Sequence, residues 1–309
     1  MLLPWDTAAW IAVALAVVGV AAGRLRHRAA MVFGAFARET ALILALYALW
    51  QRGGDVAVTK VAGAFDHARW VWRTERWWHL PSEVSLERLA LRHPLVIQFL
   101  NGYYAIVHVP ALIIFLIWLF VRHRDTYARW RNTGAVLTLL CLLLQSVPVA
   151  PPRMLPELGF TDAALLYGQS VYGRMGSGIA PQLAAMPSVH VGWSVFIALA
   201  VVATSTSRWR WVVILHPVLT VLAVVGTANH WWLDGLAAGG LLLVALVVER
   251  AVRAAGGRLR RGRVGDGPRA DRPGRRDGPA GTGRGGRSDG AGRGATTVTV
   301  GVGRGPAGS

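Results

Sequence analysis

The stretch 211–250, WVVILHPVLTVLAVVGTANHWWLDGLAAGGLLLVALVVER, decides the fold class. It contains two apolar runs, each close to the roughly 20 residues that a helix needs to cross a membrane core of ~30 Å. A polar corner at 226–231 separates the runs, and His230 and Asp234 lie where the second run begins. Ionisable side chains at membrane depth are costly and are therefore usually functional. The stretch predicts a helical membrane protein with a polar site between two spans.

The rest of the chain extends this pattern to an all-α, polytopic membrane bundle. Of the 309 residues, 53% are hydrophobic and 16% are charged, a charged fraction below the ~25% of soluble domains. We expect about six or seven transmembrane helices. The seven candidate segments are about 7–23, 31–50, 95–121, 133–150, 187–206, 211–228 and 231–250.

Arginine-rich segments predict the orientation of this bundle. Four of them lie at 24–28, 122–131, 207–210 and from Arg250 onward. With seven spans all four fall on one side, which the positive-inside rule assigns to the cytoplasm. A six-span count breaks this agreement unless the first segment is cleaved or peripheral. We therefore expect a plasma membrane protein with its polar motifs on the extracytoplasmic side and its C-terminal tail in the cytoplasm.

The net charge of +17 does not predict nucleic-acid binding, because it separates into membrane-flanking clusters and a Gly- and Arg-rich tail. The single cysteine, Cys141, excludes an intramolecular disulfide. Composition therefore leaves membrane lipids, not nucleic acid, as the expected partner, and it leaves the oligomeric state open.

Composition also divides the chain into three regions. Residues 1–94 hold N-terminal membrane helices and, at 51–94, a tryptophan-rich connector with charges of both signs, which predicts helices lying in the membrane interface. We interpret this connector as a surface-lying structural element, with a substrate lid as the alternative. Residues 95–252 form the membrane core that carries the polar motifs. Residues 253–309 contain few apolar side chains and are expected to be a disordered tail.

Two histidines are candidates for chemistry. The four-residue spacing of His230 and Asp234 places both side chains on one helix face, so the aspartate can fix one imidazole nitrogen and leave the other free to attack. His190 follows Pro187 and Ser188, which predict a helix start. The amide groups of a helix start bind anions, and the Ser188 hydroxyl adds a donor.

Three further residues are candidates for substrate binding. Pro151 and Pro152 hold the chain extended, so Arg153 is predicted to present its planar guanidinium to phosphate oxygens, with a membrane-flanking charge as the alternative. Tyr104 and His108 continue a polar stripe along a membrane helix. This stripe is compatible with a lipid headgroup pocket and equally with hydrogen bonding between helices.

No cofactor or metal ion is expected. Asp234 has no cluster of carboxylates around it in the sequence, which argues against Mg²⁺. Two histidines and one aspartate are possible ligands of Zn²⁺, and zinc is kept as the less favoured alternative.

The motifs resemble those of the type 2 phosphatidic acid phosphatase superfamily. Pro-Ser-Val-His, followed about 40 residues later by Asn-His-Trp-Trp-Leu-Asp, is similar to its second and third signatures. The fuller pattern resembles the inositol phosphorylceramide synthase-like branch, which includes bacterial proteins, and covers about residues 95–245. It consists of Asn101-Gly-Tyr-Tyr104 with His108, Ala150-Pro-Pro-Arg-Met154, Ala184-Ala-Met-Pro-Ser-Val-His190, and Asn229-His230 with Asp234.

The resemblance implies a lipid phosphatase or inositolphosphotransferase-like enzyme whose catalytic core is 95–252. His230 would form a phosphohistidine, Asp234 would orient it, and His190 would protonate the leaving group and then deprotonate the acceptor. Arg153 and Ser188 would bind the phosphoryl oxygens of a membrane lipid phosphate or phospho-headgroup. The acceptor would be water or an alcohol such as inositol.

Two departures from the common superfamily pattern affect this expectation. Val189 stands where glycine usually precedes the second-signature histidine, and 224–229 contains no arginine. We therefore expect Arg153 to carry more of the phosphate binding, helped by Arg174 or Asn229. The missing arginine also motivates an alternative function, a non-catalytic lipid transporter or scaffold that retains the fold.

Overall fold

A computed structural model of the chain describes residues 3–25, 27–58, 61–169 and 180–265. The regular structure within these residues is helical, and the single β-bridge joins Val149 to Ala184. The all-α prediction is therefore confirmed. The α-helices are α1 Trp5–Arg24, α2 Arg28–Val58, α3 Val61–Trp77, α4 Glu83–Leu91, α5 Pro94–Ile106, α6 His108–Arg122, α7 Arg124–Leu144, α8 Ala163–Leu166, α9 Val189–Thr204, α10 Leu215–Gly226 and α11 Trp232–Gly265. Short 3₁₀ helices lie at Pro152–Met154, Pro156–Leu158, Ala180–Leu183 and Arg208–Ile214.

Four of the described helical segments are long and apolar enough to cross a membrane, and a fifth span is formed if a bent pair counts as one. The four segments are Trp5–Arg24, Arg28–Leu49, Arg208–Gly226 and Trp232–Gly256. A membrane helix bundle is thus supported by four or five candidate spans among the described residues. The expectation of six or seven is not confirmed.

The bent pair is the predicted span at 95–121, which forms two helices. Helices α5 and α6 meet at Val107 with an angle of 50°. Pro110 lies in the first turn of α6, where it has no amide hydrogen to donate and its ring crowds the preceding turn. The bend places His108 at the start of α6, directly after the tyrosines of α5.

The predicted spans at 133–150 and 187–206 correspond to α7 and α9, which do not reach the length and composition of a full span. Helix α7 begins at Arg124 within the basic segment and ends at Leu144, so its apolar part is short. The chain then runs without helix to Pro148, a residue that cannot continue the hydrogen-bond pattern of a helix. Helix α9 has 16 residues, which corresponds to about 24 Å.

Helices α1 and α2 form a tightly packed hairpin, and they approach each other most closely at two glycines, Gly19 and Gly34. A Cβ atom at Gly34 would lie 2.9 Å from the carbonyl oxygen of Gly19, so the backbones touch at this point. Arg38 Nη1 donates to the same Gly19 carbonyl at 2.6 Å, and Glu39 forms an ion pair with Arg131 of α7. Arg38 and Glu39, the two charged residues within the predicted span 31–50, therefore have partners within the protein.

The connector at 51–94 is more deeply packed than a surface-lying element. Helix α3 contributes Ala64, Ala68 and Val71 to a buried cluster that also contains Trp231, and these three residues are at most 1% exposed. The tryptophans at its other face, such as Trp77, are exposed. The connector is thus an amphipathic part of the core.

The last helix is longer than expected. Helix α11 continues to Gly265, so the predicted tail boundary at 253 lies inside it. The segment 250–261 is rich in alanine and arginine, which are good helix formers, and the helix therefore propagates beyond the apolar run. The remainder of the predicted tail, 266–309, lies outside the described residues.

Candidate active site

The end of α10 places His230. That helix ends at Gly226, and the chain turns back over its last carbonyl groups: the amides of Asn229 and His230 donate to Val224 O at 2.9 and 3.0 Å. These bonds satisfy a carbonyl that a helix end otherwise leaves open. His230 is therefore held at the polar corner by its own backbone, and it is only 4% exposed.

The ring of His230 has a defined tautomer. Its Nδ1 faces two acceptors, the carbonyl oxygen of Ala185 at 2.8 Å and Oδ2 of Asp234 at 3.1 Å. Because both partners accept, the hydrogen-bond network assigns the ring proton to Nδ1. The opposite nitrogen, Nε2, is buried and has no hydrogen-bond partner among the described residues. Nε2 is thus the nitrogen with a free lone pair, as nucleophilic attack requires.

Asp234 joins the two motif-bearing segments. Its Oδ2 also accepts from the amide of Trp231 at 2.9 Å, and its backbone oxygen accepts from the amide of Ser188 at 3.1 Å. Ser188 in turn caps α9, because its Oγ accepts from Val191 N at 3.3 Å. The helix start predicted at Pro187–Ser188 is therefore present. The Ser188 hydroxyl keeps its own hydrogen for another acceptor.

His190 lies across the site from His230. It is in the first turn of α9, and the ring centroids of the two histidines are 5.7 Å apart. The Tyr104 ring lies 4.6 Å from that of His190 and 6.2 Å from that of His230. His190 Nδ1 is buried without a hydrogen-bond partner among the described residues. The structure thus brings the two histidines and Tyr104 together.

Arg153 reaches the same corner through a buried polar network. Its backbone amide donates to Ala228 O at 2.9 Å, and its Nε donates to Asn229 Oδ1 at 3.0 Å. Its Nη1 donates to Asp162 Oδ2 and Gln182 Oε1, each at 3.1 Å. Arg153 is 6% exposed, so this arginine is not a membrane-flanking charge. It lies beside the residue that precedes His230.

His108 contacts a neighbouring helix and also borders the histidine pair. Its Nε2 lies 3.2 Å from Thr220 Oγ1 on α10, and its Nδ1 lies 3.2 Å from the backbone oxygen of Tyr104. It therefore forms a contact between helices. Its ring also lies 4.8 Å from that of His190, so it forms one wall of the histidine site.

The described residues contain no group of three His, Cys, Asp or Glu side chains arranged to hold a metal ion. His230 Nδ1 is turned toward the Asp234 carboxylate, so the two side chains bind each other. The zinc alternative has no ligand set in this part of the chain. Arg174, named above as a possible aid to Arg153, lies outside the described residues.

Sequence reasoning missed four polar residues around the site. Asp162 and Gln182 contact Arg153. Glu75 accepts from the amide of Leu233 at 2.8 Å, and Glu83 lies beside Glu75. In the sequence these residues appear only as scattered polar groups in connecting segments. The available signal for Glu75 was that it continues, at helical spacing, the stripe of Ala64, Ala68 and Val71 that faces the core.

Comparison with known proteins gives the family. The family model described as the PAP2 superfamily matches residues 69–248, more than half of the chain. No curated protein matches the chain, and no solved structure matches it. The match contains every candidate site residue and begins inside α3, so part of the connector belongs to the family region. Members of this superfamily are phosphatases or phosphotransferases. With His190, His230 and Asp234 assembled at one corner of an α-helical membrane bundle, the chain belongs to the PAP2 superfamily.

Proposed function

We propose that this chain is an integral membrane lipid phosphatase or phosphotransferase that forms a phosphohistidine on His230. The observation that carries the proposal is the environment of His230. Its Nδ1 donates to Ala185 and Asp234, which leaves Nε2 unprotonated and without another partner among the described residues. Asp234 is positioned to stabilise the positive charge that develops on the ring when Nε2 bonds to phosphorus.

The first step transfers the phosphoryl group to the enzyme. His230 Nε2 attacks phosphorus in line with the leaving oxygen, the P–N bond forms, and the bond from phosphorus to the leaving oxygen breaks. His190, in its protonated form, gives its proton to that oxygen as it leaves. The ring centroids of the two histidines lie 5.7 Å apart.

The second step returns the enzyme to its starting state. Neutral His190 takes the proton of water or of an alcohol, whose oxygen then attacks phosphorus while the P–N bond breaks and its electron pair returns to Nε2. Arg153 supplies the charge that neutralises the phosphoryl oxygens, with Asn229 and the Ser188 hydroxyl as neighbouring polar groups. Tyr104 and His108 line the wall beside His190 and would contact the headgroup or the acceptor.

The proposed substrate is a membrane lipid phosphate or phospho-headgroup at the extracytoplasmic face of the plasma membrane. The arginine-rich segments at 24–28, 122–131 and 207–210 support this orientation through the positive-inside rule. Reporter fusions test it: a fusion after residue 255 that reports the external side would contradict a cytoplasmic C-terminal tail. The branch of inositolphosphotransferase-like enzymes is supported by the motif resemblance alone.

Trapping the intermediate tests the function. Purified protein in detergent is mixed with a panel of ³²P-labelled lipid phosphates, with and without inositol, and quenched in alkali, in which phosphohistidine survives. The wild type should retain protein-bound label, and His230→Ala should retain none. His123→Ala, which removes a histidine from the remote α6–α7 junction, is the matched control and should label like the wild type. Turnover without any label in the wild type would exclude the covalent mechanism, and lipid binding without turnover would favour a transporter or scaffold.

A further inference from the structure

The first turn of α11 is held by the connector. Leu233, the second residue of α11, has an amide without an acceptor in its own helix, and Glu75 Oε1 on α3 accepts from it at 2.8 Å. Trp232 Nε1 donates to Pro81 O at 2.9 Å, in the turn between α3 and α4. This turn therefore fixes the segment that carries Asp234 and, directly before it, His230.

Glu75 faces a second buried carboxyl group. Glu83, the first residue of α4, is 1% exposed and Glu75 is 0% exposed. Glu83 Oε2 accepts from Arg76 Nη2 at 2.8 Å. The other oxygens, Glu75 Oε2 and Glu83 Oε1, are buried and accept from no donor among the described residues, and the two side chains are close enough to hydrogen-bond if one of them carries a proton. Two adjacent orphan oxygens are both satisfied if one carboxyl group donates a proton to the other.

The charges around the pair favour such sharing. Among the described residues, Arg76 is the cation that forms an ion pair with Glu83, and Asp234 adds a third buried carboxylate on the side of α11. Two ionised glutamates would leave one buried charge uncompensated, which is costly. Burial, reinforced by the hydrogen bond to Glu83, raises the pKa of Glu75 to about 9, against the opposing effect of the Leu233 amide.

We propose that Glu75 is a positioning residue for His230, because it shares one proton with Glu83 and this singly charged pair holds the first turn of α11 through the Leu233 amide. The inference rests on the proposed nucleophilic role of His230. It adds a residue required for catalysis from the connector, a part of the chain that carries none of the sequence motifs.

Three variants separate the parts of this proposal. Glu75→Gln keeps an oxygen for the Leu233 amide and a donor for Glu83, and it cannot ionise. Glu75→Ala loses both contacts. Glu157→Gln is the matched control, because Glu157 is exposed and pairs with Arg69 outside the site. Steady-state kinetics on folded, detergent-purified protein should give wild-type kcat for the glutamine variant near pH 7.5. The alanine variant should lose about 10- to 100-fold in kcat with little change in KM, since misplacing a nucleophile slows the chemical step.

The pH profile gives a readout that a merely structural role would not move. Wild-type kcat should fall as the shared proton is lost above about pH 9. Glu75→Gln should keep its activity in that range. A glutamine variant with the same alkaline fall as the wild type would overturn the shared proton. Alanine-like loss in the glutamine variant, or wild-type kcat in the alanine variant, would overturn the positioning role.

Infrared spectroscopy separates failure of this inference from failure of the proposed function. At pH 8 the wild type should show the C=O stretch of a protonated carboxyl group, and Glu75→Gln should lose most of its intensity. Presence of this band in a wild-type protein without turnover would retain the shared proton and reject the enzyme. Equal bands in both proteins, in a wild type that does turn over, would reject the shared proton and retain the enzyme. If Glu75→Ala does not fold, the infrared spectrum and the pH profile of Glu75→Gln still test whether Glu75 and Glu83 share a proton.

Discussion

Arg153 Nη1 lies 3.1 Å from Oδ2 of Asp162, nine residues further along the chain, so the arginine proposed to bind phosphate already holds a carboxylate. The Arg153 side chain is 4% exposed and that of Asp162 is 27% exposed. A phosphoryl group that binds Arg153 must therefore share or replace this partner. The pair would therefore link the proposed phosphate binding to the position of the loop that precedes α8.

Replacing Asp162 should strengthen phosphate binding. Asp162→Asn removes the competing negative charge, and its side-chain oxygen can still accept from Leu165 N to cap α8. We expect the KM for the lipid phosphate to fall about fivefold, as for the loss of one partly exposed ion pair of ~1 kcal/mol. Asp66→Asn, at an exposed pair with Arg69, is the control. A raised KM would mean that Asp162 serves to orient the arginine.

Replacing Arg153 should weaken phosphate binding. Arg153→Lys keeps the charge but cannot bridge Asn229 and Asp162 while also presenting a planar fork to phosphate. We expect kcat/KM to drop at least tenfold, equivalent to ~1.4 kcal/mol of transition-state binding. The measurement is steady-state turnover of the purified variant. Wild-type kinetics would show that the charge alone is needed.

The two histidines should respond differently to the leaving group. His190→Ala should lose most of its activity on an alkyl phosphate lipid and much less on p-nitrophenyl phosphate, whose leaving group needs little protonation. His230→Ala should lose activity on both substrates, because it removes the nucleophile. Asp234→Asn should reduce turnover strongly on both while the protein remains folded. Equal losses in the His190 variant on both substrates would argue against its role as general acid.

Glu87 should make thermal stability depend on pH. It is fully buried, both of its carboxyl oxygens face the amide of Thr161 at 3.1 and 3.2 Å, and burial raises its pKa to about 7. Because this value is above the usual 4.5, the folded protein binds more protons than the unfolded chain between these pH values. The contribution of Glu87 to stability is therefore full below about pH 4.5 and is lost as the pH rises through about 7.

The expected result is a difference in Tm between wild type and Glu87→Gln that grows with pH. The glutamine variant should be more stable at pH 8 and should match the wild type near pH 5. Differential scanning fluorimetry in detergent measures this, and the exposed Glu157→Gln serves as control. A difference in Tm that is constant over this range would rule out titration of Glu87.

The α1–α2 hairpin should matter for stability and not for catalysis. Gly34→Leu places a side chain against the backbone of Gly19, and overpacking of this kind typically costs about 1–3 kcal/mol. We expect a lower Tm with unchanged kcat per folded molecule, because both helices precede the family region that begins at residue 69. Gly240→Leu is the control, since a Cβ atom there meets no atom within 4 Å. A loss of kcat in the Gly34 variant would connect the hairpin to the site.

Local patterns were sufficient to predict much of the architecture. The apolar runs at 7–23, 211–228 and 231–250 predict membrane helices, and the structure has helical segments at Trp5–Arg24, Arg208–Gly226 and Trp232–Gly256. The helical spacing of His230 and Asp234 correctly predicted that the two side chains meet, but His230 lies two residues before α11 begins, so the contact forms across the start of that helix. The helix start at Ser188 follows from capping chemistry, which depends on neighbours within one turn.

The helices differ from the predicted segments where single residues interrupt or extend a helix. Pro110 bends the third predicted span into α5 and α6, and Pro148 follows a helix that ends at Leu144, short of the predicted 150. Alanine and arginine after 250 extend α11 past the predicted boundary. These features were present in the sequence, but hydropathy averaged over a window does not resolve them.

The sequence by itself determined that His230, Asp234, His190 and Arg153 are the candidate site residues of a membrane helix bundle, because their motifs are read from short-range geometry. Only the tertiary structure decided their partners. Asp162 and Gln182 reach Arg153 through a loop, and Glu75 reaches Leu233 across 158 positions of sequence. Contacts of this kind depend on how helices pack in three dimensions. No periodicity along the chain encodes which buried carboxyl group will meet which amide.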